Sequence, residues 1–414
     1  MQTNFIAFIS IISWVFLLLL ALKVVFFLVL SSRHYKKEKK SSYQNYNNFK
    51  ASVVVPCFNE EVTLSNCIKS LLKQTYKNFE ILIIDDGSTD NSFNIAEKFK
   101  AEYPNLIKLF KKENGGKANA LNFGIEKSDG DIIVCLDADS IFMPNSLKVL
   151  MGCFSDKNIA AVGGNVKVSN RNRILGLHQE VEYISGLNIQ RRSFAQINCI
   201  QIISGAIGAF RKDKLLEVGG YSTDTIVEDM DITIAFAKAG FKIHFMGDAI
   251  AYTEAPEKVS DFIKQRQRWI YGGFQVLAKY KKIIFRKKYG SIGMIGLPYF
   301  LIFPWVDVTV TILFLLAIIR TIILGNILDL LLFYFGMALV QFLILSYALH
   351  LDRERKHIAL IALYDSLWYS HLISFVTIKA GISYLFRKEV KWNKAKRQGK
   401  NVLPCRTKSE TGIA

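Results

Sequence analysis

The stretch DIIVCLDADS (Asp131–Ser140) joins a short apolar run to two aspartates that stand one residue apart. A short apolar run that stops at polar turn residues predicts a buried β-strand. On an extended chain, the side chains of Asp137 and Asp139 would point to opposite faces of the sheet. If the chain bends where the strand ends, both carboxylates can approach one divalent cation beside a diphosphate, since Mg²⁺ and Mn²⁺ take oxygen ligands.

Three more apolar runs precede this one, and segments with helical spacing alternate with them. The runs lie in ASVVVPCFNE (Ala51–Glu60), FEILIIDDGSTD (Phe79–Asp90) and NLIKLF (Asn105–Phe110). The helical segments are Glu60–Leu72, Asn91–Phe99 and Lys117–Glu126. Strands that alternate with helices predict parallel pairing in an open α/β sheet. In such sheets ligands bind at the carboxyl ends of the strands, so we expect the polar strand-end residues to share one rim.

A glycine-rich segment, NGGKANALNFG (Asn114–Gly124), precedes the strand that ends in the two aspartates. Gly115 and Gly116 would let the chain approach a ligand closely, while Lys117 offers a cation to phosphate at the start of a helix. The sequence has no G-x-G-x-x-G or Walker pattern, which disfavours a dinucleotide or ATP pocket. Each motif alone is weak evidence, because DDGSTD by itself is equally typical of a capped turn.

Long apolar runs predict membrane spans on both sides of this region. Ile6–Leu30 is interrupted only by Lys23 and is long enough to cross roughly 30 Å of hydrocarbon. A cleaved signal peptide would have a charged leader and a small-residue cleavage site, and the run has neither. Further runs are Leu297–Ile319, Ile327–Leu349 and Ile358–Phe386. The last run carries Asp365, His371 and Lys379, so an interfacial position and a bundle interior both remain open for it.

The formal net charge of +18 is concentrated beside the apolar runs. The basic clusters are RHYKKEKK (Arg33–Lys40), KYKKIIFRKK (Lys279–Lys288), DRERKH (Asp352–His357) and RKEVKWNKAKR (Arg387–Arg397). Basic residues that flank spans mark the cytoplasmic side and favour anionic lipid headgroups. Because no zinc-finger spacing or other nucleic-acid motif is present, we expect no nucleic-acid partner. The charges predict a multi-pass protein of the plasma membrane whose central domain is cytosolic.

With these segments in this order, the chain resembles the processive family 2 glycosyltransferases, membrane synthases that polymerise sugars from nucleotide diphosphates. The resemblance covers roughly Ser52 to Trp269 and includes VEDMD (Val227–Asp231) and QRQRW (Gln265–Trp269). It implies a GT-A type, open and mostly parallel sheet in the cytosol, fused to transmembrane and interfacial helices.

The resemblance also implies roles for individual residues. Asp229, with Glu228 beside it, would be the catalytic base. The donor nucleotide would contact Pro56, Asn59, Glu60, Asp86, Lys117 and Asp137, with Asp86 facing the uracil and ribose. Asp137 and Asp139 would hold a divalent cation, Mg²⁺ or Mn²⁺. The acceptor or channel entrance would be formed by Gln265, Arg268, Trp269, Glu182, Tyr183, Ser204 and Gly205. The alternatives are a helix start with favourable acids for VEDMD and an interfacial anchor for QRQRW.

The same resemblance suggests how the chain is divided. We expect an amino-terminal transmembrane helix (residues 1–32), a cytosolic glycosyltransferase domain (50–255), an amphipathic interfacial region with QRQRW (256–290), transmembrane or interfacial helices (291–386) and a basic cytosolic tail (387–414). In the tail, Trp392 and Arg397 resemble a donor lid, although a solvated basic tail explains the same residues.

The implied function is a UDP-sugar-dependent, inverting hexosyltransferase that extrudes a β-linked polymer through its own spans. GGKANALNFGI, the pair Glu182–Tyr183 and a single amino-terminal span are most similar to synthases of poly-β-1,6-N-acetylglucosamine, a biofilm exopolysaccharide. The implied partners are UDP-GlcNAc, the growing polysaccharide, membrane lipid and a small accessory membrane subunit. The alternatives are synthesis of chitin oligosaccharide, hyaluronan or glucan, single-sugar transfer to a lipid carrier, and a non-catalytic export role.

Overall fold

The computed structural model describes residues 2–40, 49–171, 173–325, 327–365, 367–388, 390 and 399. The predicted lid residues Trp392 and Arg397 lie outside these ranges. The described strands are β1 (Ala51–Cys57), β2 (Phe79–Asp85), β3 (Ile107–Lys111), β4 (Ile132–Cys135), β5 (Ser140–Phe142), β6 (Ile159–Val168), β7 (Gly208–Arg211) and β8 (Lys242–Thr253). They form an eight-stranded sheet in the order β3-β2-β1-β4-β7-β6-β8-β5.

The sheet combines a parallel half with a mixed half. Strands β3, β2, β1 and β4 are parallel neighbours, whereas β7 pairs antiparallel with both β4 and β6. Strands β6 and β8 are parallel, and β5 pairs antiparallel with β8. Strands β1 to β4 coincide with the four predicted runs, and their parallel pairing confirms the predicted fold class. Strands β5 to β8 were not predicted from the sequence.

Helices cover both faces of the sheet and continue into the apolar regions. They are α1 (Gln2–Lys40), α2 (Leu64–Leu72), α3 (Ser92–Glu102), α4 (Lys117–Lys127), α5 (Ser146–Cys153), α6 (Ile174–Val181), α7 (Ile189–Gln196), α8 (Lys212–Glu217), α9 (Glu228–Lys238), α10 (Val259–Lys279), α11 (Leu297–Leu324), α12 (Ile327–Asp352), α13 (Ala362–Asp365) and α14 (Tyr369–Leu385). A π-helical segment, Glu182–Asn188, joins α6 to α7.

The apolar core is divided between the two faces of the sheet, as period-two side-chain alternation requires. Val54 of β1 belongs to the cluster on one face, whereas Val53 and Val55 belong to the cluster on the other. All three side chains are fully buried, and each such burial contributes roughly 1.5–3 kcal/mol. This two-sided burial fixes the register of β1 and so fixes where its polar end meets the ends of β2 and β4.

Two described helical stretches, Ile292–Ile323 and Leu330–Asp352, are long and apolar enough to cross a membrane. The pair Lys356–Asp365 and Tyr369–Leu385 would give a third span if taken together, but it is bent by 58° at the break. This bend lies within the predicted run Ile358–Phe386, for which the sequence allows either an interfacial position or a bundle interior.

Helix α1 continues through the basic cluster RHYKKEKK and docks on the sheet domain, which we define as residues 49–255. The ring of Phe27 packs edge-on against Phe194 with centroids 5.6 Å apart. Near the end of α1, the buried Glu38 accepts a hydrogen bond from the Gly247 amide at 2.8 Å and binds the Arg192 guanidinium. The basic cluster therefore also carries contacts that attach α1 to the sheet domain.

Candidate active site

Lys117 lies at the centre of a charged cleft at the carboxyl ends of the parallel strands. It is the first residue of α4 and follows Gly116, whose φ of +84° favours glycine. Its Nζ lies 2.6 Å from Asp137 Oδ1, just beyond β4, and 2.9 Å from Glu228 Oε1, at the start of α9. The side chains of Lys117 and Asp137 are 34% and 29% exposed, so a ligand can reach the pair.

The acids around Lys117 differ in their pKa. Burial alone would raise the pKa of Glu228, but the Lys117 ammonium holds it below its ordinary value. Burial raises the pKa of Asp137, and the charge of Asp139 adds to this effect, while Lys117 opposes it. Burial and the neighbouring charge of Glu228 raise the pKa of Asp229 to about 6. Asp229 is therefore ionised at neutral pH and remains basic enough to accept a proton.

The buried carboxylate of Asp86 organises the glycine loop that leads to Lys117. It accepts hydrogen bonds from the backbone amides of Gly115 at 3.0 Å and Gly116 at 2.8 Å. It also lies 2.5 Å from Lys112 Nζ. Lys112 was not among the predicted residues, although its position directly after β3 could have indicated a role. Asp86 thus fixes the loop conformation that places Lys117 at the strand ends.

The predicted donor residues at the end of β1 are linked to the end of β2. Asn59 has a left-handed φ of +55°, and its Oδ1 accepts a hydrogen bond from the Thr89 amide at 2.8 Å. The Glu60 carboxylate accepts a hydrogen bond from Thr63 Oγ1 at 2.7 Å, and Pro56 lies within β1 itself. These contacts hold two strand-end loops together at the same edge as Asp86.

The loop before β7 carries Ser204 and Gly205 against the charged pair. A β-carbon at Gly205 would lie 2.6 Å from Lys117 Nζ and 3.4 Å from Asp137 Oδ1, so a larger residue would displace the lysine. Ser204 Oγ accepts a hydrogen bond from the Ala206 amide at 3.4 Å within the same loop.

Helix α10 brings QRQRW to the loop that enters α9. Arg268 Nη1 donates to the Ile226 carbonyl at 3.2 Å, and its charge contributes to the lowered pKa of Glu228. Trp269 packs on the same hydrophobic cluster as Ala138 and Tyr183. Arg268 therefore connects α10 to the loop that leads into Glu228 and Asp229.

Comparison with known proteins agrees with this geometry. Residues 52–219 match the family model described as Glycosyl transferase family 2. This segment is a family 2 glycosyltransferase domain. The glycosyltransferase domain accounts for β1 to β4, the glycine loop and both aspartates after β4.

Two similar proteins are both named poly-beta-1,6-N-acetyl-D-glucosamine synthase. The protein of Staphylococcus aureus is 35% identical over 227 residues, which are 55% of this chain and 55% of the relative. The protein of Staphylococcus epidermidis is 34% identical over 242 residues, which are 58% of each chain. The alignments thus span little more than half the length of these relatives.

A solved structure shares the fold of the glycosyltransferase domain and its flanking helices. It is a mannosyltransferase from Pyrobaculum calidifontis in complex with GDP-Man and Mn²⁺. The TM-score is 0.62 at 20% sequence identity, over 88% of this chain and 99% of that chain. The likeness confirms the GT-A type architecture.

The pair Asp137 and Asp139 is suited to a divalent cation that is shared with a ligand. Asp139 is buried, and its Oδ1 lies 3.2 Å from Ser140 Oγ and 3.5 Å from Thr253 Oγ1. Within the described residues, no group of three or more His, Cys, Asp or Glu side chains could hold a metal ion. Mg²⁺ and similar ions are often bound by one or two carboxylates together with water and substrate phosphates, so this donor set fits.

One residue that the sequence analysis missed connects the predicted acceptor residues. Arg266, inside QRQRW, binds the carboxylate of Glu182 at 2.7 Å and donates to Gln265 Oε1 at 2.5 Å. The two arginines of QRQRW were the sequence signal that could have indicated a role for Arg266.

Replacing Asp86 with alanine should loosen the glycine loop. The amides of Gly115 and Gly116 would lose their buried acceptor, and hydrogen exchange at these two amides should speed up about tenfold or more. The matched control is Asp129→Ala, which removes an exposed carboxylate that pairs with Lys108 at 2.6 Å. Exchange mass spectrometry checks the prediction, and unchanged loop exchange in Asp86→Ala would contradict it.

Proposed function

We propose that this protein is a membrane-embedded, processive, inverting hexosyltransferase that polymerises N-acetylglucosamine from UDP-GlcNAc into a β-1,6-linked chain. The observation that carries the proposal is the Lys117 ammonium held between Asp137 and Glu228, with Asp229 next in the chain. The glycosyltransferase domain supports the reaction class, and the relatives' names support the choice of sugar.

Lys117 would bind the donor diphosphate. Burial lowers its pKa, but the carboxylates of Asp137, Glu228 and Asp229 outweigh that effect and raise the pKa well above its usual value. Lys117 therefore stays charged throughout catalysis. A diphosphate that enters the cleft would share this cation with the carboxylates, and the ammonium would stabilise the charge that develops on the leaving UDP.

Asp229 would act as the general base in a single displacement. The acceptor hydroxyl oxygen bonds to the anomeric carbon while the bond from that carbon to the UDP oxygen breaks. The hydroxyl proton goes to the Asp229 carboxylate, and inversion follows because only one displacement occurs. The position of Asp229 at the start of a helix supports this role. Its Oδ1 accepts a hydrogen bond from the Met230 amide at 2.8 Å, which orients the carboxylate.

A divalent cation would be held by Asp137 and Asp139. When bound, such an ion supplies positive charge to the diphosphate and so favours departure of UDP. The Mn²⁺ in the mannosyltransferase complex supports a divalent ion in this fold, and either Mg²⁺ or Mn²⁺ suits the two carboxylates.

We place the protein in the plasma membrane as a multi-pass protein with a cytosolic sheet domain. The helices Ile292–Ile323 and Leu330–Asp352 support membrane insertion, and the basic clusters beside the apolar runs support the orientation. Membrane lipid, a donor lid at Trp392 and Arg397, and a small accessory membrane subunit stay predictions.

The direct test of the proposal uses purified membranes that contain the protein. Each labelled nucleotide sugar, UDP-GlcNAc, UDP-glucose, UDP-glucuronate and GDP-mannose, is supplied separately, and the product is sized and digested. We expect a long β-1,6-linked polymer from UDP-GlcNAc. A single sugar on a lipid carrier, or incorporation from another donor alone, would contradict the proposal.

Removing the proposed base should stop elongation without removing donor binding. In Asp229→Asn we expect the transfer rate to fall by about 10²–10⁴-fold, because a general base contributes that much.

For the unmodified enzyme, kcat/KM should fall as the pH drops below about 6, because the ionised form of Asp229 is the active one. Asp224→Asn, an exposed acid bound to Lys279, is the control. A pH profile that stays flat through pH 6 would refute the assignment.

Replacing Asp139 should remove the effect of the divalent cation on donor affinity. We expect Asp139→Ala to bind UDP-GlcNAc about equally with and without Mg²⁺, whereas the unmodified protein binds more tightly with the ion. Calorimetric titration measures both affinities, and Asp156→Ala, which loses a carboxylate bound to Lys242 and Asn158, is the control. Retention of the full metal effect in Asp139→Ala would rule out this role.

A further inference from the structure

We propose that Arg266 is a positioning residue that holds Trp269 as the platform for the acceptor sugar. We further propose that Glu182 fixes Arg266, and that Tyr369, held at the break between α13 and α14 by His178 of α6, fixes Glu182. This inference rests on the proposed function, because it takes the sugar stacked on Trp269 to be the growing end of the polymer.

The guanidinium of Arg266 covers one face of the Trp269 ring. Its central carbon lies 4.2 Å from the ring centroid, and it also lies 4.7 Å from the centroid of Phe262. The Arg266 side chain is only 3% exposed, whereas Trp269 is partly exposed. Arg266 covers one face of the indole, and the inference takes the exposed part of Trp269 to be the surface on which a sugar ring stacks.

Two contacts to one carboxylate prevent the guanidinium from turning. Arg266 Nε donates to Glu182 Oε1 at 3.2 Å, and Nη2 donates to Oε2 at 2.7 Å. The hydroxyl of Tyr369 donates to the same Oε2. A planar guanidinium held by both oxygens of a carboxylate has one orientation, so the plane that supports Trp269 is set by Glu182.

Tyr369 is in turn fixed by a buried histidine. Its ring stacks on His178 with centroids 5.2 Å apart and planes 13° apart. His178 Nδ1 lies 2.8 Å from Asp365 Oδ1, and Trp368 Nε1 lies 3.1 Å from His178 Nε2. An indole N–H can only donate, so Nε2 accepts, and Nδ1 carries the proton that is donated to Asp365. The neutral tautomer of His178 with its proton on Nδ1 therefore satisfies the hydrogen bonds to both Asp365 and Trp368.

These contacts place the support of Trp269 at the bent helix pair. Asp365 ends α13, and Trp368 and Tyr369 stand at the start of α14, across the 58° break. Around this break, Asp365 and Trp368 contact His178 of α6, and Tyr369 packs against Phe262 of α10. The chain of contacts therefore runs from the apolar helices to the platform without touching Lys117 or Asp137.

This arrangement makes a specific prediction about processive synthesis. Each addition requires the polymer to advance and its new end to seat on Trp269 before the next transfer. If the support of Trp269 loosens, acceptor seating should weaken, whereas donor binding and the chemical step should remain. The expected signature is a raised acceptor KM and a shorter product with nearly unchanged kcat.

The test is Tyr369→Phe, which removes one hydroxyl and keeps the aromatic stack. With purified enzyme and short β-1,6-linked N-acetylglucosamine oligosaccharides as acceptors, we expect the acceptor KM to rise about tenfold, as loss of a hydrogen bond to a charged group allows. The donor KM and kcat should stay within about twofold of the unmodified enzyme. Tyr384→Phe, in the same helix but against Tyr271 and Phe274, is the matched control and should change none of these values.

A second variant guards against loss of folded protein. Glu182→Gln keeps the shape of the side chain but removes its charge, and it should give the same split between acceptor KM and kcat. Unchanged acceptor KM and product length in both variants would overturn the inference, as would an equal loss of donor affinity. If the unmodified enzyme makes no polymer at all, the proposed function fails instead, so the two failures are distinguishable.

Discussion

The Lys117 ammonium is the contact on which the rest of the cleft depends, because it joins three segments that are distant in sequence. Asp137 follows β4, Glu228 begins α9, and Lys117 begins α4, yet Lys117 Nζ lies within 2.9 Å of an oxygen of each acid. Two carboxylates that lie close together in a partly buried site repel each other unless a cation neutralises them. A partly buried cation likewise needs neighbouring carboxylates to offset its loss of hydration. The sheet brings the three segments together, and the shared charge makes their meeting stable.

The same contact also influences the pKa values of the two adjacent acids at the start of α9. Lys117 depresses the pKa of Glu228, and the ionised Glu228 helps to raise the pKa of Asp229. One cation thus lies beside two adjacent acids that differ, since the pKa of Glu228 is lowered and that of Asp229 is raised to about 6. Asp86 supports the position of Lys117 indirectly, because it fixes the glycine loop from which Lys117 projects.

The parallel half of the sheet could be predicted from the sequence because its strands are short apolar runs that stop at polar residues. The other half could not, since β7 is only Gly208–Arg211 and β6 contains Gly163 and Gly164, which lack a strand pattern. The strand-end acids were predictable for the same reason as their strands. The contact between Tyr369 and Glu182 was not predictable, because 187 residues separate the two side chains along the chain.

The most direct test of the central claim is an electron cryomicroscopy structure of the protein with UDP-GlcNAc and Mg²⁺. The account predicts that the diphosphate lies in the cleft beside Asp137 and Asp139, with Lys117 Nζ within hydrogen-bonding distance of a phosphate oxygen. A donor bound elsewhere, with Lys117 still held only by Asp137 and Glu228, would contradict the account.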